Sequence, residues 1–453
     1  MNVNHWCAGI ESGISCAPSF HSTPNRNGRQ MSATHVSTVV PMPEKSNTAC
    51  RFCGGGLAEF IDLGMSPLCE SFLTKDQLNS MEPFYPLTAY VCVDCFLVQL
   101  QEYVAPERIF TEYAYFSGYS DAWLDHAREY VETIAGRYRL GPASMVVELG
   151  SNDGYLLQFF VKRGVRVLGV DPAANVAKAA EARGVPTVVR FFSADTARDL
   201  LGQGVQADLV VANNVLAQVP NLNSFVEGIA VLLKPSGVCT VEFPHLLKSI
   251  QGNQFDQIYH EHFSYFSAIT VSRIASAHRL RLFDVEELWT HGGSLRAHLC
   301  HVDDEAHPTS TAVSDIIRRE RHAGLDGMRI YVEFAERIRA TKRNLLAFLI
   351  DAKGRGKSIA GYGAPGKGNT LLNYCGVRRD FIDYTVDRNP YKHGRYLPGT
   401  HIPIFAPERI AETKPDYILI LPWNLKDEIM AQLAYVRGWG AKFVIPIPEL
   451  MVV

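Results

Sequence analysis

At 453 residues the chain is too long for one hydrophobic core, and its size points to two or three domains. An apolar fraction of 47% with 20% charged residues is that of an ordinary globular protein, and a net charge of −3 gives no general attraction for nucleic acid or an anionic membrane. No apolar run approaches the eighteen or so residues of a membrane helix, so a cytoplasmic protein is expected, as a monomer or weak dimer.

Residues 1–47 are rich in Ser, Thr, Asn, Pro and Gly and lack the basic start, apolar middle and small-residue cleavage site of a signal peptide; a disordered extension is expected. Met31 or Met42 could equally be the functional start. Ten cysteines without an export signal argue against a disulfide framework. Cys50 and Cys53 form one CxxC knuckle and Cys92 and Cys95 a second, and four converging thiolates close a tetrahedral structural zinc site. Free thiols and a redox pair are the alternatives, although redox chemistry needs only one CxxC and no βαβ pattern surrounds either. Cys69, between the knuckles, could replace one ligand. A zinc-stapled module over 48–112 follows.

The run from Tyr103 to Tyr119 contains Tyr113, Tyr115, Phe116 and Tyr119. It reads either as an aromatic connector between domains or as a wall of phenols over a substrate pocket. Apolar residues at helical spacing then predict a helix from about Ser120 to Gly136. From Ser144 short buried strands alternate with helices, the pattern of a doubly wound parallel sheet. Met145–Gly150 is a strand that breaks into the loop Ser151–Gly154, and the strand Val165–Val170 ends at Asp171-Pro172. Gly150 and Gly154 let the backbone approach a ligand, and an acid closing the second strand is suited to a ribose diol. The order lacks the GxGxxG dinucleotide fingerprint. Glu148, Gly150, Asn152 and Gly154 instead resemble the E-x-G-x-x-x-G loop of class I methyltransferases, which implies S-adenosylmethionine as cofactor, with Asp171 on the adenosine ribose. A strand over Ala207–Asn214 carries Asn213 and Asn214 at its carboxyl end, and another runs from Val238 to Phe243. These elements make up a methyltransferase domain over 113–290.

Near its end, Tyr259-His260-Glu261-His262-Phe263-Ser264-Tyr265 packs two histidines, a carboxylate and two phenols into seven positions. A metal reading is weakly supported, because His260 and His262 share a face only on a strand and no histidine follows His260 by four residues to make an HExxH helix. Buried, hydrogen-bonded histidines would account for either imidazole singly. Acid/base chemistry needs a group titrating near neutrality beside a carboxylate or phenol, which this stretch supplies.

Paired CxxC knuckles, Asp62-Leu63-Gly64, Pro67, Tyr-Phe-Ser, Glu-Leu-Gly, Asn214-Val215-Leu216-Ala217, the Tyr-His-Glu-His motif, His291-Gly292-Gly293-Ser294-Leu295-Arg296 and Gly361-Tyr-Gly-Ala occur in that order. From Cys50 to the C-terminus the chain thus resembles the S-adenosylmethionine-dependent C-methyltransferases that act on nucleotide-linked 4-keto deoxysugars in antibiotic biosynthesis. The resemblance implies that a base removes the proton beside the keto group and the enolate attacks the sulfonium methyl. His262 matches that base, Tyr259 and Glu261 orient it and contact the sugar, and Tyr113 matches a tyrosine of the aromatic run, with Tyr115 and Tyr119 beside it on the substrate. The family's turn often reads Asn-Val-Leu-Ala-His; here Gln218 stands last, an amide that can hydrogen-bond a keto oxygen but cannot exchange a proton.

Residues 291–453 read as a C-terminal Rossmann-like domain that binds the sugar nucleotide. Gly361, Gly363 and Gly366 satisfy GxGxxG, and Asp387 closes a strand about twenty residues on. The turn, with Gly363 and Lys367, could cradle the diphosphate of the sugar nucleotide; alternatively it could bind NADPH, with Arg388 near the 2′-phosphate, for an added 4-ketoreductase activity. Arg296 is a further candidate for sugar or phosphate. The expected architecture is α/β: a zinc module, a class I methyltransferase sheet and a second Rossmann-like domain. The expected activity is C-methylation of a dTDP-4-keto-6-deoxyhexose at C3, with C5 methylation, a bifunctional methyltransferase/ketoreductase and a non-catalytic zinc-bearing nucleotide-binding protein as alternatives.

Overall fold

The computed structural model describes residues 45–110, 117–119 and 121–453; residues 1–44 of the expected extension, Tyr113, Tyr115 and the side chain of Tyr119 lie outside that range, while residues 45–47 begin a strand. In the strand Gly56–Ser66 the apolar Leu57, Phe60, Ile61 and Leu63 are buried while Glu59, Asp62 and Gly64 are exposed, so one face of an antiparallel sheet turns inward. The sheet runs in the order Lys45–Ala49, Gly56–Ser66, Tyr85–Cys92, Val98–Leu100. It begins ahead of the expected module edge at Thr48. Its fifth strand comes from far along the chain: Ser264–Tyr265 pairs antiparallel with Val98 and Gln99.

The central sheet has seven strands. In spatial order they are Thr187–Val188, Arg166–Val170, Met145–Leu149, Ala207–Asn213, Leu233–Pro244, Ser294–His301 and Leu280–Leu288. Neighbours are parallel except at Ser294–His301, which is antiparallel to both of its partners. The order reverses between Met145–Leu149 and Ala207–Asn213. This switch point, outside the carboxyl ends of the strands, is where open α/β sheets bind ligands. Ser294–His301, from beyond residue 290, pairs into this sheet.

The third sheet is ordered Ile404–Phe405, Tyr384–Val386, Ile359–Tyr362, Tyr417–Ile420, Lys442–Ile445, Met451–Val452, parallel except for the last pair. It has its own switch point between Ile359–Tyr362 and Tyr417–Ile420. The glycine turn and the helix Gly366–Cys375 follow the first of these strands, and Trp423 follows the second.

Side chains of the N-terminal sheet share a core with the C-terminal half. Phe60 lies against Tyr331 and Phe334 of the long helix Arg329–Gly354, with ring centroids 5.8 and 6.3 Å apart. The zinc module is therefore built into the body of the protein. Phe334→Ala empties part of this shared core, and urea unfolding is expected to show a loss of about 3–5 kcal/mol.

Candidate active site

The segment 255–266 is held by all three units. The Trp423 indole N–H donates to Asp256 at 2.7 Å, and Thr370 of the helix Gly366–Cys375 donates to the Ile258 carbonyl at 3.1 Å. Leu100 N–H donates to the Phe263 carbonyl at 3.0 Å and Leu246 N–H to that of Phe266 at 2.9 Å. The proton-handling motif thus stands where the sheets meet. A cavity of about 630 Å³ opens along it, between the two switch points.

At one end of the cavity are Gly150, Asn152, Asp171, Pro172, Asn213 and Asn214. Gly150 has φ +66, and a Cβ there would sit 2.9 Å from Val215, so only glycine makes this turn without strain. Asp171 accepts the Asn152 and Ala173 amides, each at 2.9 Å, which fixes the loop against the second strand. Asn213 Oδ1 and both side-chain polar atoms of Asn214 are buried without a partner among the described residues, and Asn214 is left-handed at φ +57. Unsatisfied amides beside a carboxylate at a strand end fit the ribose and base of S-adenosylmethionine. Two of the residues expected here stand behind the lining. Glu148 is buried beneath the loop, its carboxyl pushed well up by burial and by the nearby Asp171 and Asp153, and Gly154 packs against Val185 and Ala180.

At the other end are Tyr259, Glu261, His262, Gln218 and His291. His262 Nδ1 lies 3.2 Å from the Gln257 carbonyl, which can only accept, so Nδ1 carries the proton. Nε2 is then a lone pair, and it accepts the Tyr259 hydroxyl at 3.0 Å. Burial lowers the imidazole to about 3, which keeps it neutral. Glu261 is pushed up to about 8 by burial and by Glu70, so it is a protonated acid at neutral pH. Its neighbour is Cys69, with Sγ 3.7 Å from its carboxyl oxygen. Cys69 therefore belongs to this site and is not a replacement ligand in the knuckles. His260 turns away and donates to the Pro86 carbonyl at 3.1 Å.

His291 has no place in the expected site, although its Gly-Gly-flanked motif was a signal. It lines the cavity with φ +54 and a buried Nε2 lacking a partner among the described residues, and burial lowers it to about 4. Gln257 steadies both imidazoles: its carbonyl holds His262, and its side-chain amide donates to the His291 carbonyl at 3.1 Å.

Two amides of the expected phosphate turn are satisfied from within. Ala364 N–H donates to Asp387 at 2.7 Å, and Gly366 N–H to the carboxyl of Glu70. Gly363, at φ +89 with Pro422 where its Cβ would be, lies outside the cavity lining. Asp387 also accepts the Asn389 amide at 2.8 Å, and exposed Arg388 lies 3.6 Å from Glu428; no observation at this turn supports NADPH. Lys367 lines the cavity; Arg296 does not. Arg296 is buried in a network with Glu242 at 3.2 Å and Glu286 at 2.8 Å, over the Tyr130 ring, where its charge balances the buried carboxylates.

The four knuckle sulfurs come together within 4.8 Å. Cys50 and Cys95 are 3.6 Å apart and Cys53 and Cys92 3.5 Å, close to the ~3.8 Å edge of a tetrahedral zinc thiolate site. From the first knuckle Arg51 donates to the Pro220 carbonyl at 3.2 Å, and Asn223 donates to the Phe52 carbonyl at 2.9 Å. Pro220 lines the cavity, so the zinc module braces the wall of the active site.

Compared with known proteins, the chain is 37% identical over 410 residues to C-methyltransferase NovU of Streptomyces niveus, covering 89% of this chain and 96% of that protein. The chain belongs to this C-methyltransferase family. Family models match a zinc-binding domain at 50–110, a methyltransferase domain at 122–282 and the C-methyltransferase C-terminal domain at 289–448. A ubiquinone biosynthesis O-methyltransferase of Methylobacterium sp. (strain 4-46) is 36% identical over 111 residues, 23% of this chain and 43% of that protein. Among solved structures, magnesium protoporphyrin IX methyltransferase (ChlM) from Synechocystis PCC 6803 with bound SAM is 14% identical, with 40% of this chain and 82% of that chain covered and a TM-score of 0.30. That last likeness carries no argument. The S-adenosylmethionine-dependent C-methyltransferase assignment stands on the full-length relative and the family models. Among the described residues no helix is long and apolar enough to cross a membrane.

Two outcomes follow from this geometry. Elemental analysis is expected to find one zinc per chain, reduced to near zero in Cys92→Ser, with a lower melting temperature. Arg296→Met removes the guanidinium from buried Glu242, leaving it His126 at 3.2 Å and Thr290 at 3.1 Å, and is expected to destabilise the fold by about 1–3 kcal/mol in urea unfolding.

Proposed function

We propose that this C-methyltransferase methylates the carbon beside the ketone of a dTDP-linked 4-keto-6-deoxyhexose, at C3, with His262 as the base. The observation that carries this reading is the Nε2 lone pair of a neutral His262 in the cavity that also holds the Asn213–Asn214 strand end. The keto group acidifies the neighbouring C–H. His262 Nε2 takes that proton, directly or through the Tyr259 hydroxyl that bonds it, and the C–H electron pair moves into an enolate. S-adenosylmethionine, when bound, supplies an electrophilic methyl on a sulfonium. The enolate carbon attacks that methyl, so a C–C bond forms as the S–C bond breaks.

The other groups act by position. The Gln257 carbonyl stabilises the charged imidazolium by holding its Nδ1 proton. Protonated Glu261 can donate a hydrogen bond to a sugar oxygen, and the Gln218 amide can do the same without exchanging a proton. Asp171 and the two asparagines bind the cofactor's adenosine. Tyr113, Tyr115 and Tyr119 are proposed to cover the sugar.

His262→Asn is expected to lower turnover by about 10²–10⁴-fold while calorimetry finds S-adenosylmethionine affinity unchanged; retained methylation sinks the assignment. Because protonated Glu261 is the active form, turnover should fall as pH rises through about 8. A pH–rate profile of Glu261→Gln, which cannot ionise, is expected to lack that alkaline limb.

A further inference from the structure

The reacting end of the cavity is made almost wholly of uncharged groups. His262 and His291 are neutral, and Gln218 carries no charge. An enolate formed there would develop a negative charge against walls that exclude water. Lys367, on the first turn of the helix Gly366–Cys375, is the exception. Its ammonium lies 5.2 Å over the Trp423 ring, and it is close enough to disfavour the protonated forms of both His262 and His291. Among the described residues no carboxylate comes within ion-pair distance of it; the Asp256 charge favours its ammonium from farther off, with Oδ2 accepting the Trp423 indole N–H at 2.7 Å. Two backbone donors at this helix start, the Gly366 and Ala364 N–H groups, are already taken by Glu70 and Asp387. The other cation on the lining, Lys392, donates to the Ala364 carbonyl at 2.8 Å and pairs with Glu70 at 3.8 Å.

We propose that Lys367 is a catalytic residue whose ammonium faces the substrate's keto oxygen and stabilises the enolate charge, and that the diphosphate binds elsewhere. This rests on the reaction proposed above. As the C–H bond breaks and its proton passes to His262, the electron pair delocalises onto the oxygen facing Lys367; it then returns through carbon to form the C–C bond to the methyl as the S–C pair leaves with sulfur and the ketone re-forms. A point cation on a flexible stem suits a single oxygen atom, and a preorganised charge at the site of developing charge is a large lever on rate.

The test uses full-length enzyme with S-adenosylhomocysteine bound, so that methyl transfer is blocked. Exchange of the α-proton of dTDP-4-keto-6-deoxyglucose into D₂O is followed by NMR in wild type, Lys367→Met and Lys367→Arg, and thymidine diphosphate affinity is measured by calorimetry. The methionine variant is expected to slow exchange at saturating substrate about 10²–10³-fold, with partial recovery in the arginine variant. Its thymidine diphosphate affinity is expected to stay within about twofold of wild type, which also reports an intact fold. Unchanged exchange, or a tenfold loss of thymidine diphosphate affinity at unchanged saturated exchange, overturns the assignment and returns Lys367 to the phosphate. If the wild-type enzyme itself shows no exchange, the proposed reaction falls and takes this inference with it; failure confined to the variants removes Lys367 alone.

Discussion

The hydrogen bond from His262 Nδ1 to the Gln257 carbonyl fixes which nitrogen of a buried imidazole is free. With Nδ1 committed, Nε2 is the atom that can accept a proton, and burial keeps it unprotonated. Gln257 can set this tautomer because its own position is over-determined. Its amide is tied to Gln254 at 2.7 Å and to His291, and the chain on either side is pinned by Trp423 and Thr370 from the C-terminal domain and by the N-terminal sheet. The three units are thus joined at His262.

The same arrangement has an acid-side consequence. His262 and His291 are lowered in the folded protein to about 3 and about 4, below their unfolded value of ~6.5. The unfolded chain therefore binds more protons between those values, and the stability that the neutral imidazoles contribute is present above pH ~6.5 and lost as pH falls toward the folded values. A pocket that keeps its base neutral in this way does so at the expense of acid tolerance. Glu261 works in the opposite sense: its folded value of about 8 means that its contribution is lost as pH rises through that range.

What the sequence made legible is what depends on neighbours along the chain. The strand–glycine-loop–helix at Met145–Lys162 and the paired knuckles each follow from local periodicity or spacing, and each stands in the structure. What was hidden depends on pairing across long stretches. Ser264–Tyr265 completes a sheet begun more than 150 residues earlier, Glu70 reaches the amide of Gly366, and Cys69 sits under Glu261. None of these contacts leaves a mark on spacing. Arg296 shows the hazard of reading a motif by composition: an arginine after Gly-Gly looks like an anion ligand, yet alternation on the strand Ser294–His301 turns it into the sheet, against Glu242.

The central claim is that the methyl group is delivered to carbon beside a ketone. The most direct measurement is NMR of the product formed from ¹³C-methyl-labelled S-adenosylmethionine and a dTDP-4-keto-6-deoxyhexose. The label is expected as a methyl coupled to ring carbon C3, next to the ketone. A label found on oxygen, or on C5, would contradict the account.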